Sequence, residues 1–244
     1  MSGCKTRVSV GIKAALIAGF LALGYSQSAR PTPDDMCCPV GCIQVGNACS
    51  CCPLVFDTAG HGFQLTDIAH GVYFRVEPNG PKYAMAWTDP AGGNGWLVLP
   101  DSEGKVPDFT HLFSTVSPQP QSDHANGYLA LAVYDSLDDG GNHNGWIDPR
   151  DAIWSRLRIW IDANQDGEAQ PNELHALDAL GIKRIALHYR LADYTDPFGN
   201  VFRYESDVVD PTDPHSYDVW IELNTGNKGA SCRSHGDLLA KQRR

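Results

Sequence analysis

The stretch DANQDGEAQPNEL, residues 162–174, sets oxygen-bearing side chains at the spacing that wraps a hard cation. Asp162, Asn164 and Asp166 stand at positions one, three and five, Gly167 at six and Glu173 at twelve. Glu168 at seven offers its backbone carbonyl, and Gln170 at nine can hold a water. Calcium takes six to eight oxygens at roughly 2.3–2.6 Å, and alternate residues of a wrapping loop turn theirs inward. Glycine permits the sharp turn, and a carboxylate at the twelfth place closes the shell through both its oxygens. The chemistry implied is capture of Ca2+, with affinity of roughly 10⁻⁴–10⁻³ M if the module works where calcium is abundant. A polar turn without an ion is the competing reading.

A second copy lies just upstream. NHNGWIDPRD places Asn142, Asn144, Gly145 and Asp151 at positions three, five, six and twelve, with Trp146 at seven, but position one falls on Gly140. Removing LDDGG (137–141) gives DSNHNGWIDPRD, in which Asp135 leads and proline recurs at position ten, as Pro149 and Pro171. The pattern reads as an internal repeat with a looped-out insertion, Asp138 or Asp139 being alternatives to Asp135 as the leading ligand.

These loops need elements to hold them. Tyr128, Leu131 and Tyr134 recur at helical spacing, as do Ile153, Leu157, Trp160 and Ile161 in AIWSRLRIWI. One helix of about ten residues is expected to link the loops, keeping their ions roughly 15 Å or more apart at 1.5 Å per residue. Another is expected over NELHALDALG, stopped by Gly181. PLVF, GVYFRV, YAMAWT and GWLVL read as strands, with EPNG a hairpin turn. Residues 100–127 read as a long surface loop. Three alternating runs follow, carried by Ile185, Leu187 and Tyr189, by Phe202, Tyr204 and Val208, and by Tyr217, Val219, Ile221 and Leu223. The expected fold class is α+β, with short antiparallel strands flanking a helix-loop-helix-loop-helix EF-hand-like core behind a Cys-rich segment.

The 244 residues are expected to divide into a signal peptide (1–29), a Cys-rich segment (30–52), the main domain (53–225) and a polar, disordered tail (226–244). The leader has a basic start, the apolar run AALIAGFLALGY and small residues near a cleavage point. That implies a secreted or periplasmic protein with no membrane attachment after cleavage. The net charge is −10, and the leader contributes Lys5, Arg7 and Lys13 without an acid, so the remainder is more acidic still. Such a surface repels phosphate backbones, excluding nucleic acid as a partner, and suits cations. Cys37, Cys38, Cys42, Cys49, Cys51 and Cys52 crowd together, with Cys232 far off. In an oxidising compartment the cluster reads as a disulfide knot, a zinc knot being the alternative.

Through these segments the chain resembles the EF-hand-bearing calcium-binding modules of secreted bacterial proteins, including some attached to RTX (haemolysin-type) toxins and adhesins. The likeness runs from PLVFDTAGHGFQLT through GVYF, AWTDP, GWLVL and HLF to NGYLALAVYD, NGWIDPRDAIWSRLRIWIDANQDG and NELHALDALGI. It implies further calcium loops upstream, but these are eroded: FDTAGHG keeps Asp57 yet has Gly60 and His61 where oxygens belong, and Arg75 replaces a leading acid in FRVEPNG. It also implies that some relatives cleave their own Asp-Pro bonds when calcium is present. Here those bonds follow Asp89, Asp148, Asp196, Asp210 and Asp213, though Asp-Pro is also a favoured turn dipeptide. No HExxH, GxSxG or Cys/His catalytic pattern is present, so the expectation is a binding protein rather than an enzyme. An extracellular protein or glycan recognised by Trp87, Trp96 or Trp146 completes the expected partners.

Overall fold

A computed structural model describes residues 38–39, 41–45 and 48–225. The leader expected at 1–29, the tail expected at 226–244, and Cys37 and Cys232 lie outside these residues. In chain order the elements are β1 (Ile43–Val45), β2 (Ala48–Cys51), β3 (Leu54–Asp57), β4 (Val72–Arg75), β5 (Lys82–Met85) and β6 (Asn94–Val98). After them come α1 (Gly127–Ala132), β7 (Trp146–Ile147), β8 (Arg158–Trp160), β9 (Leu174–Ala176), β10 (Arg184–Thr195), β11 (Val201–Val209) and β12 (His215–Asn224). The main path of the sheet is β7-β10-β11-β12-β3-β6-β8-β9, with β2 and β5 also pairing to β12 and carrying β1 and β4.

The expected α+β fold with paired helices around the loops is overturned. Among the described residues α1 is the one α-helix, and the architecture is mostly antiparallel sheet. The linking helix is replaced by a 3-10 turn, Trp154–Arg156, and β8. Ile153, Leu157, Trp160 and Ile161 satisfy a helical period, but Leu157, Ile159 and Ile161 also alternate with Arg158 and Trp160. The sheet uses the alternation: Trp160 packs into one core while Leu157, Ile159 and Ile161 pack into the other. Helix propensities separate ordinary residues by at most about 0.7 kcal/mol each, whereas burying one such side chain yields about 1.5–3 kcal/mol. Pairing of Trp160 with Trp96 and Leu174 therefore decides the matter. The exit helix likewise gives way to β9 and a 3-10 turn, Leu177–Leu180, closed by Gly181.

The central strands β3 and β6 are buried throughout. Leu54, Phe56 and Leu97 face one core and Val55, Trp96 and Val98 the other, so PLVF and GWLVL are continuously apolar instead of alternating. Residues 100–127 are not a surface loop. Val106, Phe109 and Leu112 enter one core and Phe113 the other, from a segment whose Pro, Ser and Asp residues hide the apolar signal. The chain then enters α1 through Asn126, whose Oδ1 accepts the Leu129 N–H at 3.0 Å. Turns at EPNG and TDPFGN lie where the sequence places them, with Gly80 N–H donating to Glu77 O and Gly199 N–H to Asp196 O.

Disulfides Cys38–Cys49 and Cys42–Cys51 tie the segment just before β1 to β2, and β2 pairs with β12. Two such bonds belong to an oxidising compartment, outside the cell or in its envelope, and they set aside a zinc knot for these four residues. Cys52 is a buried free thiol.

Candidate metal centre

The 162–173 loop joins β8 to β9, so antiparallel strands rather than helices hold its ends. Asp162 and Glu173, at its first and twelfth positions, are 1% and 3% exposed. Asp162 Oδ1 accepts the Asp166 N–H, and its Oδ2 accepts Gly167 N–H at 3.0 Å and the indole N–H of Trp87 at 2.9 Å. Glu173 Oε1 accepts Ala163 N–H at 3.1 Å, while Oε2 takes Gln170 N–H and the indole N–H of Trp160 at 3.2 Å. Trp87 and Trp160 lie edge to face, 5.4 Å between centroids, inside the aromatic core. The two end carboxylates are thus bolted to the packing of the molecule.

Asn164 and Asp166 complete the ring: Asn164 Oδ1 accepts Asp166 N–H, and Asp166 Oδ1 accepts Glu168 N–H at 2.8 Å. The Glu168 side chain turns outward to Lys82 at 3.2 Å. Burial pushes the Asp162 carboxyl above its usual range, and repulsion from Glu173 and Asp166 adds to the rise against the pull of the Gly167 and Asp166 amides.

The upstream loop repeats this wiring. Asp135, 6% exposed, accepts the N–H groups of Asn144 and Gly145 at 3.1 and 2.8 Å, positions five and six as in its partner. Asn144 Oδ1 accepts Trp146 N–H at 2.8 Å, matching Asp166 and Glu168. Asp151 at twelve accepts the position-nine amide of Asp148 at 2.7 Å, as Glu173 accepts that of Gln170. Asn142 binds Asp151 Oδ1 through its backbone and side-chain nitrogens at 3.0 and 3.1 Å. The five-residue insertion folds out as a 3-10 turn whose Asp138 and Asp139 are exposed. Gly141 returns the chain against the residue it left; a Cβ there would fall 2.2 Å from the Asp135 carbonyl carbon. Asp135, rather than either insertion acid, faces the loop.

Reading the sequence alone missed three participants. Asp148, at position nine of the first loop, is buried and chelated by the Arg150 guanidinium, which holds its carboxyl far below the usual range. The aligned repeat carries that signal. For Trp87 and Trp160 as donors no local signal exists, since each reaches its carboxylate through the folded core.

Among the described residues no three His, Cys, Asp or Glu side chains are gathered as a ready metal cluster. The donor set of each loop is instead mixed, with carboxylate, amide and main-chain oxygens and neither sulfur nor imidazole, which fits a hard cation and not zinc. In the upstream loop Asp57 likewise accepts the N–H groups of Ala59, Gly60 and Gly62, but Gly60 and His61 stand where the other two loops carry oxygen-bearing side chains.

Each Asp-Pro pair is an Asx turn. The carboxylates of Asp89, Asp148, Asp196, Asp210 and Asp213 accept the N–H two residues on, at 2.6 to 2.9 Å. Trp87 and Trp96 are fully buried and present no face to a glycan, while Trp146 lies under the Arg184 guanidinium at 4.0 Å.

A family model described as SPM domain matches residues 54–222. This corrects the expected kinship, since neither an EF-hand nor an RTX-related family is found. The chain is also similar to the iron-regulated protein FrpA of Neisseria meningitidis serogroup C, 32% identical over 152 residues. That match covers 61% of this chain and 13% of the relative.

Proposed function

The chain belongs to the SPM domain family, and we propose that it is a secreted calcium-binding protein whose two loops, 135–151 and 162–173, join distant parts of the sheet when loaded. One observation supports this reading above the rest. Asp162 and Glu173 are buried in a single loop, and neither is bonded to a basic residue. Buried carboxylates without a counter-charge are costly; a divalent cation between them removes that cost and draws β8, β9 and the Trp87 segment together. Binding to the folded state alone stabilises it by mass action, about 2.7 kcal/mol at a hundredfold excess over Kd.

Thermal unfolding of the purified chain with and without calcium tests this. With calcium near 10 mM and an affinity of about 10⁻⁴ M, Tm should rise by roughly 5–10 °C. Asp162→Ala with Glu173→Ala should abolish most of that rise, and Asp135→Ala a smaller part. An unchanged Tm sinks the reading.

A second reading, calcium-triggered cleavage of an Asp-Pro bond, is favoured by one placement: Asp148-Pro149 lies inside the first loop, where a captured cation acts directly on the Asp148–Arg150 pair. Gel analysis of the same samples reads it as a fragment beginning at Pro149; an intact chain after prolonged calcium exposure excludes it.

A further inference from the structure

Two neighbouring arginines, Arg156 and Arg158, stand out in this acidic chain because both face one cleft and neither is paired with a carboxylate among the described residues. Arg150 is held by Asp148 and Arg190 by Glu205 and Asp207, while Arg75 donates to Gly80 O and Arg184 lies over the Trp146 ring. Among the described residues the Arg156 guanidinium meets no partner, and Arg158 donates through Nη1 only to the carbonyls of Ser155 and Leu157, at 2.8 and 2.6 Å. Both line one cleft of about 480 Å³, between the 100–104 turn and the start of β8 and β9. Those two bonds pin the Arg158 guanidinium in place, so its charge is positioned without being neutralised.

The rest of the lining defines what would fit. Pro100 and Leu174 give apolar walls, and Ser102 and Ser155 add hydroxyls. Asp101 also lines the cleft, yet its Oδ1 already accepts the amides of Glu103 and Lys105 at 2.8 and 2.9 Å, which fixes that turn and leaves two guanidiniums against one carboxylate. The volume lies within the roughly 300–1,000 Å³ of small-molecule sites. A guanidinium fork matches a carboxylate through two parallel hydrogen bonds. The chain's net charge of −10 disfavours polyanions.

We propose that this cleft binds a small organic dicarboxylate, one carboxylate on each arginine and a short carbon skeleton against Pro100 and Leu174. The site is independent of the calcium reading, although Leu174 directly follows Glu173 and so sits beside the second loop.

Glutarate is a suitable probe, because it chelates calcium weakly. Titrated at constant ionic strength with calcium present, it should produce saturable shifts in the side-chain N–H resonances of Arg156 and Arg158. The Arg156→Ala/Arg158→Ala double variant should lose at least tenfold in affinity, Arg156→Lys should retain part of it, and Arg190→Ala should not change it. Shifts that never saturate, that sodium chloride reproduces, or that survive in the double variant overturn the proposal. Tighter binding of inorganic phosphate than of glutarate overturns the dicarboxylate assignment.

Discussion

At the scale of single residues, a buried acid on β12 makes stability fall as pH rises. Asp218 is fully buried on β12, and desolvation raises its carboxyl to about 7, with the Gly127 amide at 2.6 Å and the Cys52 thiol opposing that rise. In the unfolded chain the same group titrates near 3.8. Between those values the folded state holds a proton that the unfolded state has lost, so raising pH favours unfolding by about 1.4 kcal/mol per unit from this group. Its stabilisation is complete below about pH 4 and gone by about pH 7. Denaturant unfolding across that window should show the decline in the wild type and a flatter profile in Asp218→Asn, which keeps an acceptor for Gly127. Nothing local in SYDVWIEL marks this aspartate, because its burial comes from α1 and the long-range pairing of β12. The loop residues are different. Spacing alone groups Asp162, Asn164, Asp166 and Glu173 into one loop, and the repeat puts Asp135 in the matching place across its insertion, where it accepts the equivalents of the two amides that Asp162 accepts.

Among elements, the second loop behaves as a clasp between two hairpins. Gly167 turns at φ +67° with Val72 and Tyr73 of β4 directly beneath, where a Cβ would approach them to 3.2 and 3.3 Å. Gln165 donates to His70 O at 2.7 Å, and Lys82 of β5 reaches Glu168. Gly167→Ala combines left-handed backbone strain of about 1–2 kcal/mol with crowding against β4. Its Tm should fall by at least about 3 °C; an unchanged Tm would mean that the loop is not seated on β4. This scale was the least legible in the sequence. LRIWI fits both a helical and a strand period, so the spacing of Ile153, Leu157, Trp160 and Ile161 does not by itself separate the two. Strand pairing with β6 and β9 settles it, and neither partner is visible locally. Along the end of β11, buried Ser206 and Val208 alternate with exposed Asp207 and Val209, and the strand is legible in the sequence.

For the molecule as a whole, β12 is the hub, pairing with β11, β2, β3 and β5. These pairings join residues far apart in sequence, so the topology had no signature in the chain even where strands did. The disulfides close loops of 11 and 9 residues against that hub. By loop-closure entropy each contributes about 2–3 kcal/mol, so reduction should lower Tm by roughly 10 °C or more, with no change if β1 and β2 are dispensable. Calcium would act from the other side of the same core, through Trp87 and Trp160, whose indoles touch both end carboxylates of the second loop. That contact offers the most direct test of the central claim, that the loops hold a hard cation. Terbium added to the folded chain and excited through tryptophan should luminesce and be displaced by calcium. The signal should fall strongly in Asp162→Ala/Glu173→Ala and by a smaller share in Asp135→Ala, whose loop carries Trp146. A folded wild type without sensitised emission, or emission undiminished in the double variant, contradicts the claim.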